Sequence, residues 1–314
     1  MPSWQARIVA QYIRTVVRRR DWGEGSVLAR RARRHFGTPR VFQGLALRGV
    51  RQQAVATASG VRGEWLTPEP MGSESASAPT GGVLLYVHGG GFVSCSARTH
   101  RPVTAALARA IGCRVFSADY RLAPGARFPA AFDDVIASYR WLQQEGAPGA
   151  PIAIAGESAG GSLVLGLAQH IRDAGWQPPV CVVALSPWTD LAGTGESVYA
   201  NDGRCAMFRP ENMGAFARTY LGDVPADTPR ASPLYGAWNA LPPVLLHVGS
   251  TELLLDDARR VHDRITAAGG SSTLRVYDSM MHGWHLLTPF VPEARAAVGD
   301  VAAFVCAHLS LGRE

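Results

Sequence analysis

The sequence predicts an α/β fold: a mostly parallel central sheet flanked by helices, with a helical cap. Three observations predict it. From about residue 80 onward, short apolar runs alternate with longer helical patterns, the signature of βαβ units. Runs such as Gly82-Val83-Leu84-Leu85-Tyr86-Val87 are apolar at every position after the glycine, as strands covered on both faces require. The chain has 314 residues, 47% hydrophobic and 18% charged, enough to bury the core of one large domain.

The elements follow in order. Residues 1–45 read as an N-terminal helical cap segment, because Ile8, Val9, Tyr12, Ile13, Val16 and Val17 recur at helical spacing between arginines. Residues 46–314 form the main domain. Gly72 to Ala78 is polar and small-residue-rich and reads as an exposed turn or loop. Strands are expected at 83–87, 114–118, 152–155, 180–185, 244–248 and 273–277, and helices at about 99–111, 129–145, 158–174 and 256–268. The region from about 191 to 237 is rich in Gly, Pro, Asn and aromatic residues and breaks the alternation. It reads as a cap insertion over the carboxyl end of the sheet, where open α/β sheets bind ligands.

Composition excludes several function classes. All 31 basic residues are arginine, so no catalytic lysine exists and a phosphate-binding Gly-Lys-Ser/Thr loop is ruled out. The net charge of +6 is concentrated before residue 41, in Arg14, Arg18, Arg19, Arg20, Arg30, Arg31, Arg33, Arg34 and Arg40. No nucleic-acid motif accompanies it, and it reads as the solvated face of amphipathic helices. Cys95, Cys113, Cys181, Cys205 and Cys306 fit neither zinc spacing nor a Cys-x-x-Cys pair, which points to free thiols in a reducing, cytoplasmic setting. No apolar run approaches the ~18 residues of a membrane span, and stable membrane insertion is not expected.

The sharpest local signal is Ile152-Ala153-Ile154-Ala155-Gly156-Glu157-Ser158-Ala159-Gly160-Gly161. An apolar strand runs into Gly-x-Ser-x-Gly and a helical pattern follows, the context of a nucleophile elbow. Side chains at 156 and 160 would collide with neighbouring backbone, and Ser158 is expected at a strained backbone angle with its hydroxyl exposed. Upstream, Tyr86-Val87-His88-Gly89-Gly90-Gly91-Phe92 again ends a strand. The N–H groups of Gly90 and Gly91, with that of Ala159, are the expected oxyanion donors. His88 is expected to orient this loop by hydrogen bonding.

A general base must follow Ser158 and sit near a strand end. His282, beside the flexible Gly283, is the leading candidate, with His285 the alternative. His247 reads as a hydrogen-bonded core residue within a strand, and His262 as a solvated helix residue. For the acid that orients the imidazole, Glu252 lies three residues beyond the strand-ending Gly249. Asp256 is the alternative, although it and Asp257 open a helix, where carboxylates commonly cap. Glu157 reads as a charge held by structural hydrogen bonds.

These residues together resemble the hormone-sensitive-lipase-like branch of the α/β-hydrolase family, the bacterial esterases. His88-Gly89-Gly90-Gly91 and Gly156-Glu157-Ser158-Ala159-Gly160-Gly161 match its hallmarks, and Tyr120-Arg121-Leu122-Ala123-Pro124 and Ser186-Pro187-Trp188-Thr189-Asp190 match further segments. The resemblance covers about residues 80 to 310. Two positions depart from it. Glu252 stands where the family usually has aspartate in a Gly-x-x-Asp-Pro-Leu loop, and Glu157 where it often has aspartate.

The resemblance implies a serine carboxylesterase acting through Ser158, His282 and Glu252, with no metal or cofactor. Its partner would be a small-molecule ester in an apolar pocket lined by Phe92, Trp188, Phe208 and Phe216. Acetyl-hydrolase or lactonase activity on a natural product is the alternative within the class. A non-catalytic ligand receptor on the same fold is the alternative outside it, and a homodimer is left open.

Overall fold

The structure, a computed structural model, describes residues 1–69 and 81–311. The turn expected at Gly72 to Ala78 lies outside them. Eight strands form one sheet: β1 (Val50–Ala56), β2 (Arg62–Pro68), β3 (Val83–Val87), β4 (Arg114–Ala118), β5 (Ile152–Glu157), β6 (Val182–Leu185), β7 (Val244–Gly249) and β8 (Ser272–Tyr277). Their order is β1-β2-β4-β3-β5-β6-β7-β8. The pairs β1·β2 and β2·β4 are antiparallel, and every pair from β4 to β8 is parallel. All six expected strands are present.

The helices are α1 (Trp4–Ile13), α2 (Gly25–His35), α3 (Arg40–Leu45), α4 (Arg101–Ile111), α5 (Ala130–Trp141), α6 (Ala159–Asp173), α7 (Ser197–Ala200), α8 (Pro210–Leu221), α9 (Leu255–Ala267) and α10 (Pro292–Leu311). Alternate residues of each central strand face opposite layers. Leu85 and Ile154 join the core under α5 and α6, with Phe132, Val164 and Leu167. Leu84 and Ala153 join the core under α4 and α10, with Val103, Leu107, Val301 and Val305. The unbroken apolar runs are therefore two interleaved faces, each buried by its own helical layer.

Two strands and three helices, α7, α8 and α10, go beyond the sequence expectation. Strand β1, Val-Arg-Gln-Gln-Ala-Val-Ala, is mostly exposed and has no apolar run to announce it. Strand β2 is held by tertiary contacts. Trp65 packs on Phe116 at 5.2 Å between ring centroids, and buried Glu64 accepts two hydrogen bonds from Arg101, at 2.9 and 2.6 Å. Helix α10 is built largely on alanine, and its buried face rests on α4.

Helices α1 to α3 and the segment carrying α7 and α8 meet above the carboxyl ends of the parallel strands. Arg14 donates to the carbonyls of Gly203 and Arg204 at 2.8 and 2.7 Å. Arg18 pairs with Asp202 at 2.7 Å and donates to the Phe208 carbonyl. Arg33 reaches the carbonyls of Val93 and Ala123. Part of the arginine cluster thus works as structural cross-links and not as a solvated face, because loop carbonyls left over by the insertion need donors.

Candidate active site

Strand β5 ends in the tight turn that the Gly-x-Ser-x-Gly spacing predicts. A Cβ on Gly160 would lie 2.1 Å from the Val87 carbonyl oxygen, and one on Gly156 would lie 2.2 Å from that of Gly160. Only glycine lets β5, β3 and the first turn of α6 approach this closely. Ser158 is held at φ 54° and ψ −118°, a conformation that costs a non-glycine residue of order 1–3 kcal/mol. Hydrogen bonds from the Ser158 N–H to Leu185 O (2.8 Å) and from the Trp188 N–H to Ser158 O (3.1 Å) hold it there.

The loops after β7 and β8 complete a hydrogen-bonded chain. Ser158 Oγ lies 2.9 Å from His282 Nε2. His282 Nδ1 lies 2.6 Å from Glu252 Oε2, so Nδ1 carries the proton and Nε2 accepts from the serine hydroxyl. The other carboxylate oxygen of Glu252 accepts from the Gly249 N–H at 2.6 Å and from Ser186 Oγ at 2.7 Å. Its loop is pinned in turn by Asn201, which donates to the Glu252 carbonyl at 2.9 Å. Burial disfavours the imidazolium, but the hydrogen bond and charge of Glu252, with the charge of Glu157, outweigh it and raise the His282 pKa above its ordinary value.

The alternatives in the sequence do not reach the chain. Asp256 accepts from the Ser197 N–H at 2.7 Å, tying α9 to α7. Asp257 is buried and accepts from the Thr189 and Asp190 N–H groups. His285 stacks on Trp284, 3.7 Å between centroids. His247 is buried in β7, but the expectation that it is hydrogen-bonded fails. Neither of its ring nitrogens, nor either of those of His285, has a partner among the described residues. The two rings stack on each other at 5.7 Å. His262 is half-buried and meets Ser272 Oγ at 2.9 Å, where solvation alone was expected.

Around the glycine loop, His88 Nδ1 bonds the Gly89 carbonyl at 2.7 Å and the ring stacks on Tyr120 at 4.2 Å. Burial pushes its pKa down to about 3, so it stays neutral and holds the loop. The N–H groups of Gly90, Gly91 and Ala159 have no acceptor among the described residues. Two buried side chains escaped the sequence reading as neighbours of this site. Glu157 places Oε1 3.6 Å from His282 Nε2 and Oε2 3.4 Å from His100 Nε2. His100 Nε2 in turn receives the Gly89 N–H at 3.1 Å. The residue before the serine therefore lies between the imidazole and the glycine loop.

A cavity of about 480 Å³ opens over Ser158. Trp188, Phe208 and Phe216 line it. Phe92 does not. At φ 63° its ring lies fully buried behind the cavity wall, stacked on Tyr220 at 3.9 Å, because the turn after the glycines drives it under α8. The far wall is apolar and comes from residues that the sequence does not assign to a pocket: Val9, Ile13, Phe36, Phe42 and Leu287. Among the described residues no group of three or more His, Cys, Asp or Glu side chains could hold a metal ion.

A family model described as an alpha/beta hydrolase fold matches residues 84–286. An acetyl-hydrolase of Streptomyces hygroscopicus is 36% identical over 257 residues, covering 82% of this chain and 83% of its own. An esterase of Acinetobacter venetianus is 32% identical over 247 residues, covering 78% and 79%. The crystal structure of an esterase from the bacterial hormone-sensitive lipase family superposes with a TM-score of 0.86 at 35% identity, covering 98% of this chain and 99% of the other. The chain belongs to the α/β-hydrolase family. Within it, the chain is a serine carboxylesterase of the bacterial hormone-sensitive-lipase-like branch, and the receptor alternative falls away.

Proposed function

We propose that Ser158 is the nucleophile, His282 the general base and Glu252 the acid of this carboxylesterase. The observation that carries the reading is the unbroken chain Ser158 Oγ, His282, Glu252 at 2.9 and 2.6 Å. The ester carbonyl oxygen points at the N–H groups of Gly90, Gly91 and Ala159. Nε2 of His282 takes the hydroxyl proton as Oγ attacks the carbonyl carbon, and the negative oxygen settles among the three donors. Collapse expels the alcohol, which receives the proton from Nε2. A water then gives a proton to Nε2 and attacks the acyl carbon, and Ser158 recovers its proton as the acid departs. A donor of this kind contributes about 2.7–4 kcal/mol to the transition state.

The apolar wall supports small to medium acyl esters as substrates. Acetyl esters of larger alcohols fit the same cavity, and the acetyl-hydrolase among the relatives favours them as a second reading. Helices α1 to α3 and the 191–237 insertion act together as the cap. The five free thiols support a reducing, cytoplasmic setting, and sedimentation of the purified protein decides between monomer and homodimer. The central test is turnover of a p-nitrophenyl acyl series. Wild type releases p-nitrophenol with a chain-length optimum, and Ser158→Ala loses kcat by roughly a millionfold; retained turnover in that variant overturns the assignment.

A further inference from the structure

The surface around the cavity mouth differs from the rest of the molecule. Ten large apolar residues are exposed among those described, and seven of them cluster here: Met1, Trp4, Ile8 and Tyr12 on or before α1, Val41 and Leu45 on α3, and Phe290. Trp4, Ile8 and Tyr12 recur every four residues and form one stripe along α1, at 67%, 60% and 62% exposure. The adjoining face of the same helix, through Val9 and Ile13, lines the cavity, and Tyr12 borders both. Phe42 and Phe290, 4.7 Å apart, join the mouth to a second hollow that includes Leu45, Arg109 and Arg295.

The charge is concentrated in the same part of the chain. Residues 1–63 hold thirteen arginines and two acids, Asp21 and Glu24. That is a formal +11 in a chain whose total is +6, so the remainder is net negative. Arg7, Arg40, Arg48 and Arg295 are exposed and none has an ion-pair partner among the described residues. Glu293, at the start of α10, is taken up by the Ser3 N–H and hydroxyl.

We propose that this face docks on an anionic lipid surface and presents the cavity mouth to esters dissolved in it. Arginines at headgroup level with Trp, Ile and Tyr reaching the acyl boundary are the chemistry of interfacial helices. No helix among the described residues is long and apolar enough to cross a membrane, so the contact is peripheral. Nucleic acid would answer the arginines but leave the α1 stripe in water. A second copy across a two-fold axis would bury the stripe but set these unpaired arginines against those of the other copy. The proposal rests on the cavity being the ester's entrance, but docking has its own readout.

The test is co-sedimentation of the full chain with vesicles of phosphatidylcholine alone or mixed with phosphatidylglycerol. Partition into the anionic vesicles is expected, weakening with salt and by about fivefold for each of Arg7→Ser and Arg40→Ser. Trp4→Ser/Ile8→Ser, outside the cavity lining, weakens it by more than about tenfold and leaves turnover of dissolved p-nitrophenyl acetate unchanged. Ser158→Ala binds vesicles like wild type while losing hydrolysis, so failure of docking and failure of the catalytic assignment fall in separate columns. Equal partition into neutral and anionic vesicles overturns the proposal. So does duplex DNA that binds as tightly as vesicles, or a dimer that Trp4→Ser/Ile8→Ser dissolves.

Discussion

The two sides of the cavity are built on different principles. On the sheet side, Ser158, Glu252 and His282 stand at the ends of β5, β7 and β8, and each polar atom of the chain has a partner within 2.9 Å. On the cap side, Val9, Ile13, Phe36, Phe42 and Leu287 come from short helices and loops and offer apolar contact only. The sheet side fixes atoms, as bond-making requires. The cap side fixes volume, so it can set which acyl or alcohol group is accepted without disturbing the chemistry.

The comparison breaks first at Glu252. Glu252→Gln is expected to lower kcat by about 10⁴-fold, because the imidazolium loses its counter-charge and its tautomer is no longer enforced. Asp256→Asn, which loosens the contacts to Ser197 and Arg259, should change kcat less than about threefold. Reversed magnitudes in steady-state assays would move the acid to Asp256.

Among the described residues of the sheet side, the stacked His247 and His285 are titratable rings with no hydrogen-bond partner. Burial lowers the His247 pKa to about 4, below its value in the unfolded chain. The neutral ring is therefore favoured in the fold, and its stabilisation is present above the unfolded pKa and lost as pH falls through the folded one. Between pH ~6.5 and ~4 this single group should remove about 3 kcal/mol of stability. Urea midpoints at the two ends of that window check it, and His247→Leu should make the profile shallower, with the slope due to buried His88 remaining.

Glu157 sharpens the comparison further. Its charge helps to raise the His282 pKa, and the base acts only when neutral, so activity falls as pH drops through that raised value. Glu157→Gln removes the charge and should move the acid limb of kcat/KM to lower pH. A side chain that only packs would leave the limb where it is. The smallest effect belongs to the cap side. Leu287→Ala should change the ratio of kcat/KM between long and short acyl chains by roughly tenfold, read from the p-nitrophenyl series.

Sequence alone made the sheet side legible and most of the cap side not. The turn at Ser158 is legible because a strand, two glycines and a helix lie within about ten residues of it, and the loops that carry Glu252 and His282 are legible because each follows a recognisable apolar strand. Strand β1 is not, since it is an exposed edge defined by its partner and not by its own residues. Phe92 was misplaced for a similar reason. Its neighbours in sequence are the glycines at the cavity, but a positive φ sends its ring to Tyr220. The Val9 and Ile13 wall lies about 150 residues from Ser158 in sequence, and nothing local to α1 says which side faces a cavity. Glu157 was visible as a residue, but its proximity to His282 and His100 depends on three loops meeting.

The most direct measurement is labelling of the intact enzyme with a fluorophosphonate, followed by mass spectrometry of its peptides. One adduct on the peptide containing Ser158, formed by wild type and absent in His282→Ala, is the predicted result. An adduct at another residue, or equal labelling without the histidine, would contradict the assignment of Ser158 as the nucleophile activated by His282.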